Sequence, residues 1–568
     1  MAVPEVDREP LEAGRCVLAR WAPWLLLALV AAVWWPALAG QQVYDDDLNF
    51  QRNVVLREGG IADNCTRGFF REQLGYWRPA STLLMACGYR AAGLFGVHLL
   101  ALLLHAFAVL AAHRLARRVF GDARAAVAVA LLFALHPVQV ESVAWASALP
   151  SLLAALCALR AVDAALRWRD AQGCGWPWRP AWWVALALFA SEIGTIAVLL
   201  VPAVVTCVPT PRKQLARLGL ALGAPVAVWL ALRALLLPNA LTVHGGIGDA
   251  VSFVAGAAEM MLRSLALLFA PWPLTPLRTL NADPWLGLGL AAGVVALAAF
   301  VLTTWKRWPE RWRVAFVFLV VPTLLPAAMH RALGEHPLAD RYLYLPAFGA
   351  ALAWVAIARR NVWLLVAPIA ACAVATVVQV AVWRDQATFV AHCAKHEPTD
   401  PEVQVMSGSV HFAAAQAGEA PRLEMARRAY CAALASCSAP GRRCRDDLAR
   451  KARLGLAWCD FLEQQQRGEF HVASLVQRFG AELANAGTAA SAWVGIGVSY
   501  SVAQQFDGAY DAFHRAIELD PLSPEAWFDL GYLQWENGEL QQARASLQRA
   551  LHCDPQLAAA ADLLARLR

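Results

Sequence analysis

Residues 21–39 read WAPWLLLALVAAVWWPALA, a run without a single charge. A helix rises 1.5 Å per residue, so roughly twenty apolar residues cross the ~30 Å hydrocarbon layer of a bilayer. The run therefore predicts a membrane span. No small-residue cleavage motif follows it, so it reads as a retained first span rather than a signal peptide. Further apolar blocks follow at 93–112, 125–140, 143–162, 182–208, 218–237, 284–304, 314–329, 342–358 and 361–382. The 182–208 block is interrupted at Ser191-Glu192-Ile193-Gly194 and has basic residues on both flanks, which predicts a hairpin of two short helices. The count comes to about eleven segments. The stretch 250–277, which carries Glu259 and Arg263, reads as interfacial.

Composition agrees with this reading. Hydrophobic residues make up 59% of the chain and charged residues 16%, against roughly 25% charged in soluble domains. The net charge of +6 is explained by cationic loops on one side of a membrane, with no nucleic-acid partner implied. Basic clusters stand at Arg8/Arg15/Arg20, Arg114/Arg117/Arg118/Arg124, Arg212/Lys213/Arg217, Lys306/Arg307/Arg311/Arg313 and Arg359/Arg360. Placing them inside predicts a cytoplasmic N-terminus. The 40–80 loop and everything after residue 383 then lie outside, although that loop has five arginines of its own and obeys the rule only on balance. The Ala-, Leu- and Arg-rich composition points to a bacterial inner membrane with a periplasmic or extracellular C-terminal part; in a eukaryote it would be the endoplasmic reticulum with that part luminal.

Charges become regular from Trp383-Arg384-Asp385, which divides the chain into a polytopic domain at 1–382 and a helical domain at 383–568. In the latter, Trp493, Gly497, Ala509, Phe513, Ala516 and Pro521 recur 34 residues later as Trp527, Gly531, Ala543, Leu547, Ala550 and Pro555. Small residues recur where two antiparallel helices would touch, large ones fill between them, and proline ends each second helix. The pattern resembles tetratricopeptide (TPR) repeats at 490–523 and 524–557. Tyr500 fits and its counterpart Gln534 does not. Two repeats bury little alone, so the helical 400–485 stretch is expected to complete an α-solenoid. Cys431, Cys437 and Cys444 lie close enough for a disulfide, with the pairing open.

Residues able to carry chemistry gather at predicted helix ends. Tyr44-Asp45-Asp46-Asp47 follows the first span. Adjacent carboxylates repel and raise at least one pKa. They are either a solvated acid cluster or a general base, or they ligate a cation or sugar. Arg78, at the entry to the second span, either snorkels to the interface or binds a phosphate with its planar fork. His98 and His105 share one face of that span, and intramembrane polar groups usually face a bundle interior. Their spacing of seven residues is not a metal-ligand spacing. His136 and Glu141 end the third span, Glu192 interrupts the 182–208 block, and Asp340-Arg341-Tyr342 opens the tenth. Asp340 either pairs with Arg341 or a neighbour, or serves a site. On the deduced topology Asp45–Asp47, Arg78, His136, Glu141 and Arg341 share one side of the membrane. An acid with Arg and His there suits transfer from a phosphate leaving group.

The runs YDDDLN (44–49), YWRPAS (76–81), GLFGVHLLALLLH (93–105), FALHPVQVESVAWAS (133–147), SEIG (191–194) and ADRYLYLP (339–346), followed by TPRs, occur in that order. The order resembles the transmembrane and TPR-repeat-containing O-mannosyltransferases and their bacterial relatives, membrane glycosyltransferases of the GT-C fold. The resemblance spans nearly the whole chain and implies an all-α GT-C-type bundle followed by a TPR solenoid. It implies transfer of a mannose-like sugar from a polyprenyl-phosphate carrier in the membrane lipid to a protein hydroxyl. Asp45 and Asp46 would be the catalytic acids. Arg78 and Arg341 would hold the phosphate, with His98, His105, His136, Glu141, Glu192 and Tyr342 lining the site and the TPRs presenting the acceptor protein. The resemblance fixes no cofactor, and metal dependence, a divalent cation on the acids, stays open. Two departures stand out. Ser191-Glu192 replaces a common Lys-Glu, and Ala148-Leu149-Pro150-Ser151 replaces Gly-Arg-x-Asp. A membrane-anchored TPR scaffold without enzymatic activity is the alternative reading.

Overall fold

The computed structural model describes residues 9–66, 76–237, 250–280, 284–331, 336–439, 444–484 and 486–567, and these are helical throughout, joined by turns. The chain divides into two compact units. One comprises Met1–Asp46 and Glu58–Asp385, the other Asp47–Arg57 and Gln386–Arg568. The loop after the first helix is thus shared between them.

In the first unit, eight helices among the described residues are long and apolar enough to cross a membrane, or nine if the bent pair Ala123–Ala134 and Pro137–Ala144 is one span. That number is below the expectation of about eleven, which counted the two short helices expected, and found, in the 182–208 block. The 182–208 block forms Trp178–Ala190 and Ile196–Thr206, and the block from 342 forms Tyr344–Ile357. With 13, 11 and 14 residues respectively, each falls short of the roughly twenty needed to span. Conversely, Ser252–Phe269, expected to be interfacial, meets the criterion of length and composition.

Breaks in these helices follow local chemistry. Pro79 starts a helix running to Phe120, because its missing N–H is one the first turn would leave unpaired anyway. The helix is interrupted at Ala92–Gly93, where Gly93 takes a φ of 61° that side-chain-bearing residues avoid. The second arm therefore begins where the apolar block at 93–112 was predicted. Gly121, also left-handed, ends it with an N–H bond to Arg117 O. At Ser191 the backbone turns extended and separates the two short helices. There Gly194 packs so closely on Ala187 that a Cβ would lie 1.9 Å from its carbonyl oxygen.

The second unit stacks helical hairpins. Its helices are Gln386–His396, Pro401–Gln416, Pro421–Cys437, Asp446–Arg467, Val472–Gly480, Ala486–Val502, Phe506–Leu519, Pro524–Glu536, Leu540–Cys553 and Ala558–Arg566. The register read from sequence is the packing register. Ala509, Phe513 and Ala516 are buried, as are Ala543, Leu547 and Ala550 one repeat later. A Cβ on Gly497 would meet the Phe513 ring at 2.5 Å, and one on Gly531 would meet Leu547 at 3.0 Å. The same device recurs upstream, with Gly408 and Gly455 both against the Tyr430 ring and Gly495 against Phe479. These sockets identify 401–480 as further hairpins of the stack. Cys437 and Cys444 form the disulfide, and Cys431 remains an exposed thiol.

Candidate functional site

In the first unit, the turn after the first helix aims Asp46 into the interior, where it is 1% exposed. Tyr44, at φ 60°, reverses the chain just before it. Ser147 donates its N–H (3.0 Å) and its hydroxyl (2.5 Å) to Asp46 Oδ1, and Val43 N–H donates to Oδ2 at 3.2 Å. Burial pushes the Asp46 carboxyl up to about 7, against the lowering effect of these donors. Asp46 is thus poised to exchange a proton near neutrality.

The short helix Val140–Ala144 carries Glu141, buried and paired with the Arg341 guanidinium, and the Arg341 backbone N–H donates to Glu141 Oε2 at 3.2 Å. Arg341 lies over Trp145 (5.4 Å) and Tyr342 (4.9 Å), and Tyr44 packs on Trp145 at 5.7 Å. Asp340 does not pair with Arg341. It is buried against Arg278, with Nη1 to Oδ1 at 2.6 Å.

A second charged group centres on Glu192, at the interruption of the 182–208 block. Arg78 Nε reaches Oε2 at 2.6 Å, while Arg233 Nη1 (3.2 Å) and the Trp77 N–H (3.0 Å) reach Oε1. Tyr76 lies under Arg78 at 4.5 Å and feels the charges of Glu192 and Arg341 as well. The tyrosine links the two groups. A crevice lined by Ile193, Gly194, Arg341, Tyr342 and Tyr344 offers about 10 Å³, room for one water.

The structure therefore brings Glu141, Arg341 and Tyr342 together, and Arg78 with Glu192, while Asp46 is tied to Ser147 and Val43. The histidines have packing partners instead. His105 bonds Tyr344 OH (2.7 Å) and Ala134 O (3.2 Å) under the edge of Trp34. His136 donates from Nε2 to Leu268 O (3.0 Å) and accepts from Val138 N–H at Nδ1, so both ring nitrogens are committed. His98 is buried against Gly40. Asp45 immediately precedes Asp46, but the buried contacts to Ser147 and Val43 belong to Asp46.

Sequence reasoning missed Ser147, Arg233 and Arg278. Arg233 sits in the last turn of Arg212–Leu236, a position that reads as a snorkelling end charge. It brings a second cation to Glu192, although position 191 is serine. Nothing local marked Ser147 or Arg278, because their partners lie 101 and 62 residues away.

The contacts to Asp46 oxygens are donors, and Asp47 belongs to the other unit, where it pairs with Arg52. Among the described residues no three His, Cys, Asp or Glu side chains converge as a metal site.

The second unit offers its own surface. Trp493, Tyr500, Phe506, Asp507, Asp511 and Arg515 line an open cleft of about 900 Å³. On the last hairpins, Glu525, His552, Cys553 and Asp554 contact the segment Asp47–Arg57.

No curated protein matches the chain. Among solved structures, the crystal structure of the APC/C hetero-tetramer Cut9-Hcn1 aligns at 14% identity, covering 86% of this chain and 92% of that one, with a TM-score of 0.24. So loose a superposition carries no argument about fold or function. A family model described as tetratricopeptide repeat matches residues 484–558. Together with the glycine sockets at Gly497 and Gly531, that match shows that the chain carries tetratricopeptide repeats there.

Proposed function

We propose that the chain is a membrane-held protein-interaction module whose TPR unit binds a protein partner. The match of 484–558 to tetratricopeptide repeats carries this reading, because such stacks present extended concave surfaces to peptides. The cleft beside Trp493 and Tyr500, with Asp507, Asp511 and Arg515 at its edge, supports it. The test is photocrosslinking from a reactive residue at position 504 of the full-length protein in native membranes. A discrete protein adduct that disappears in Asp511→Lys and Arg515→Glu variants is expected. Adducts indifferent to both substitutions would sink the reading.

One observation favours a second, more specific reading. Asp46 is buried, hydrogen-bonded to Ser147 and held near neutral pKa, and in the same unit Glu141 is paired with Arg341. A carboxylate so tuned suits a general base that takes the proton of an acceptor hydroxyl. Arg341 and the Arg78–Arg233 pair suit a phosphate leaving group. On this reading the first unit transfers a mannose-like sugar from a polyprenyl-phosphate to a protein hydroxyl on the extracytoplasmic face, and the TPRs supply the acceptor. Transfer of radiolabelled sugar from polyprenyl-phosphate-mannose to protein in membranes tests it. Label incorporated by wild type and lost in Asp46→Asn is expected. Equal incorporation by both would leave the interaction module alone.

A further inference from the structure

The segment Asp47-Leu48-Asn49-Phe50-Gln51-Arg52-Asn53-Val54-Val55-Leu56-Arg57 follows the first membrane helix, yet it is part of the C-terminal unit. Its Phe50 and Leu56 are buried, at 0% and 1% exposure. Its polar side chains reach the last hairpins of the TPR stack. Arg52 Nη2 pairs with Glu525 Oε1 at 2.9 Å, and Arg52 Nε with Asp47 Oδ2 at 2.8 Å. Gln51 donates to the Asp554 carboxylate, and Arg57 donates to the His552 carbonyl. Arg52 thus feels three carboxylates, Glu525, Asp47 and Asp554, which hold its proton although burial opposes the charge. Gln51 and Arg52 thus meet carboxylates and Arg57 meets helix-end carbonyls, while Phe50 and Leu56 of the same segment are buried. A folded repeat domain grips a peptide in this way.

We propose that Asp47–Arg57 is a built-in ligand of the TPR unit, seated in an acidic site formed by Glu525, the His552 carbonyl and Asp554, and that an arginine-bearing protein segment gains this site only by displacing it. Displacement frees the chain directly after Asp46, because Asp47 is the next residue. The tether keeps the segment at an effective concentration of about millimolar, so a competitor must match its arginines to win. Two arginines five residues apart define the partner chemistry, since Arg52 meets carboxylates and Arg57 meets carbonyls.

The experiment uses full-length protein in lipid nanodiscs and a fluorescent peptide of residues 47–57. Wild type should bind the peptide weakly, because its own segment is in place. Arg52→Glu vacates the site and should tighten binding at least tenfold, and adding Glu525→Arg should abolish it. Hydrogen exchange supplies the second measurement. Amides of 50–56 should be protected in wild type, lose at least tenfold protection in Glu525→Arg, and regain it in Arg52→Glu/Glu525→Arg. Unchanged protection of 540–553 certifies that the repeats stay folded. If that protection is lost in a single variant, its recovery in the charge-swapped pair decides in favour. Equal peptide binding by wild type and Arg52→Glu, or exchange at 50–56 indifferent to Glu525, overturns the proposal. Neither readout depends on sugar transfer.

Discussion

Ser147 gives both its backbone N–H and its hydroxyl to a single oxygen of Asp46, at 3.0 and 2.5 Å. Two donors on one buried carboxylate oxygen fix the direction of the acid and stabilise its ionised form, while burial works the other way. The carboxyl settles at about 7, so its charge changes within the physiological range.

The first prediction concerns pH. Burial raises the Asp46 pKa in the folded state above its ordinary 3.8, so the fold binds this proton more tightly than the unfolded chain does. Its contribution to stability is fully present below 3.8 and is lost as pH rises through about 7. Thermal unfolding in detergent between pH 4 and 8 should show that loss, and Asp46→Asn should flatten it. If Asp46 is a base, sugar transfer in wild type rises with pH through the same point. Asp46→Asn then costs about 10²–10⁴-fold.

A second prediction concerns Glu192. Arg78 and Arg233 both rest on its carboxylate, with side chains 15% and 13% exposed. Glu192→Gln leaves two largely buried cations facing each other across a neutral amide. The expected cost is about 2–4 kcal/mol, near the range for a broken buried pair. Arg233→Gln removes one cation and keeps the Arg78 pair, so it should cost less. Melting temperatures of the two variants give the ranking, and equal values would contradict it.

The third prediction tests the repeat sockets. Gly497→Ala pushes a methyl into the Phe513 ring at 2.5 Å and should destabilise the second unit by about 1–3 kcal/mol. Phe513→Ala leaves a cavity and should cost about 3–5 kcal/mol. In the double variant the new methyl enters the vacated space, so its cost should fall short of the sum of the two single costs by roughly 1 kcal/mol. Denaturant titration of the three variants measures the coupling. Gly531→Ala, facing Leu547 at 3.0 Å, should be milder.

A fourth prediction concerns the thiols. Cys437 and Cys444 are bonded, whereas Cys431, Cys87 and Cys174 are exposed thiols. Maleimide should label Cys431 in the native oxidised protein and reach Cys437 and Cys444 only after reduction. Mass spectrometry of the 421–445 region reads this directly, as two further adducts.

The parts of this fold that were legible in the sequence are those that repeat or that run long. Trp493 to Pro521 recur in register at Trp527 to Pro555, and Gly497–Phe513 and Gly531–Leu547 are the contacts that register implied. Short-range rules also placed the interruption at Ser191 and the chain entry at Pro79. Long-range pairing was illegible. Nothing around Arg233 announces Glu192, and nothing around Ser147 announces Asp46, because side chains that meet across a bundle share no sequence period. Span length misled for a related reason. Apolarity shows that a segment avoids water, but protein burial and lipid burial satisfy it equally. Tyr344, Phe348 and Leu352 are buried inside the protein, in a helix of only 14 residues.

Gln51 and its partner Asp554 are separated by 503 residues. During synthesis at roughly 5–20 residues per second, the loop segment leaves the ribosome on the order of half a minute or more before its seat exists. Gln51 and Arg57 must wait that long without the Asp554 carboxylate and the His552 carbonyl they bond in the finished protein. Assembly of the C-terminal unit therefore closes last. A chain truncated before residue 554 would lack the residue that receives Gln51.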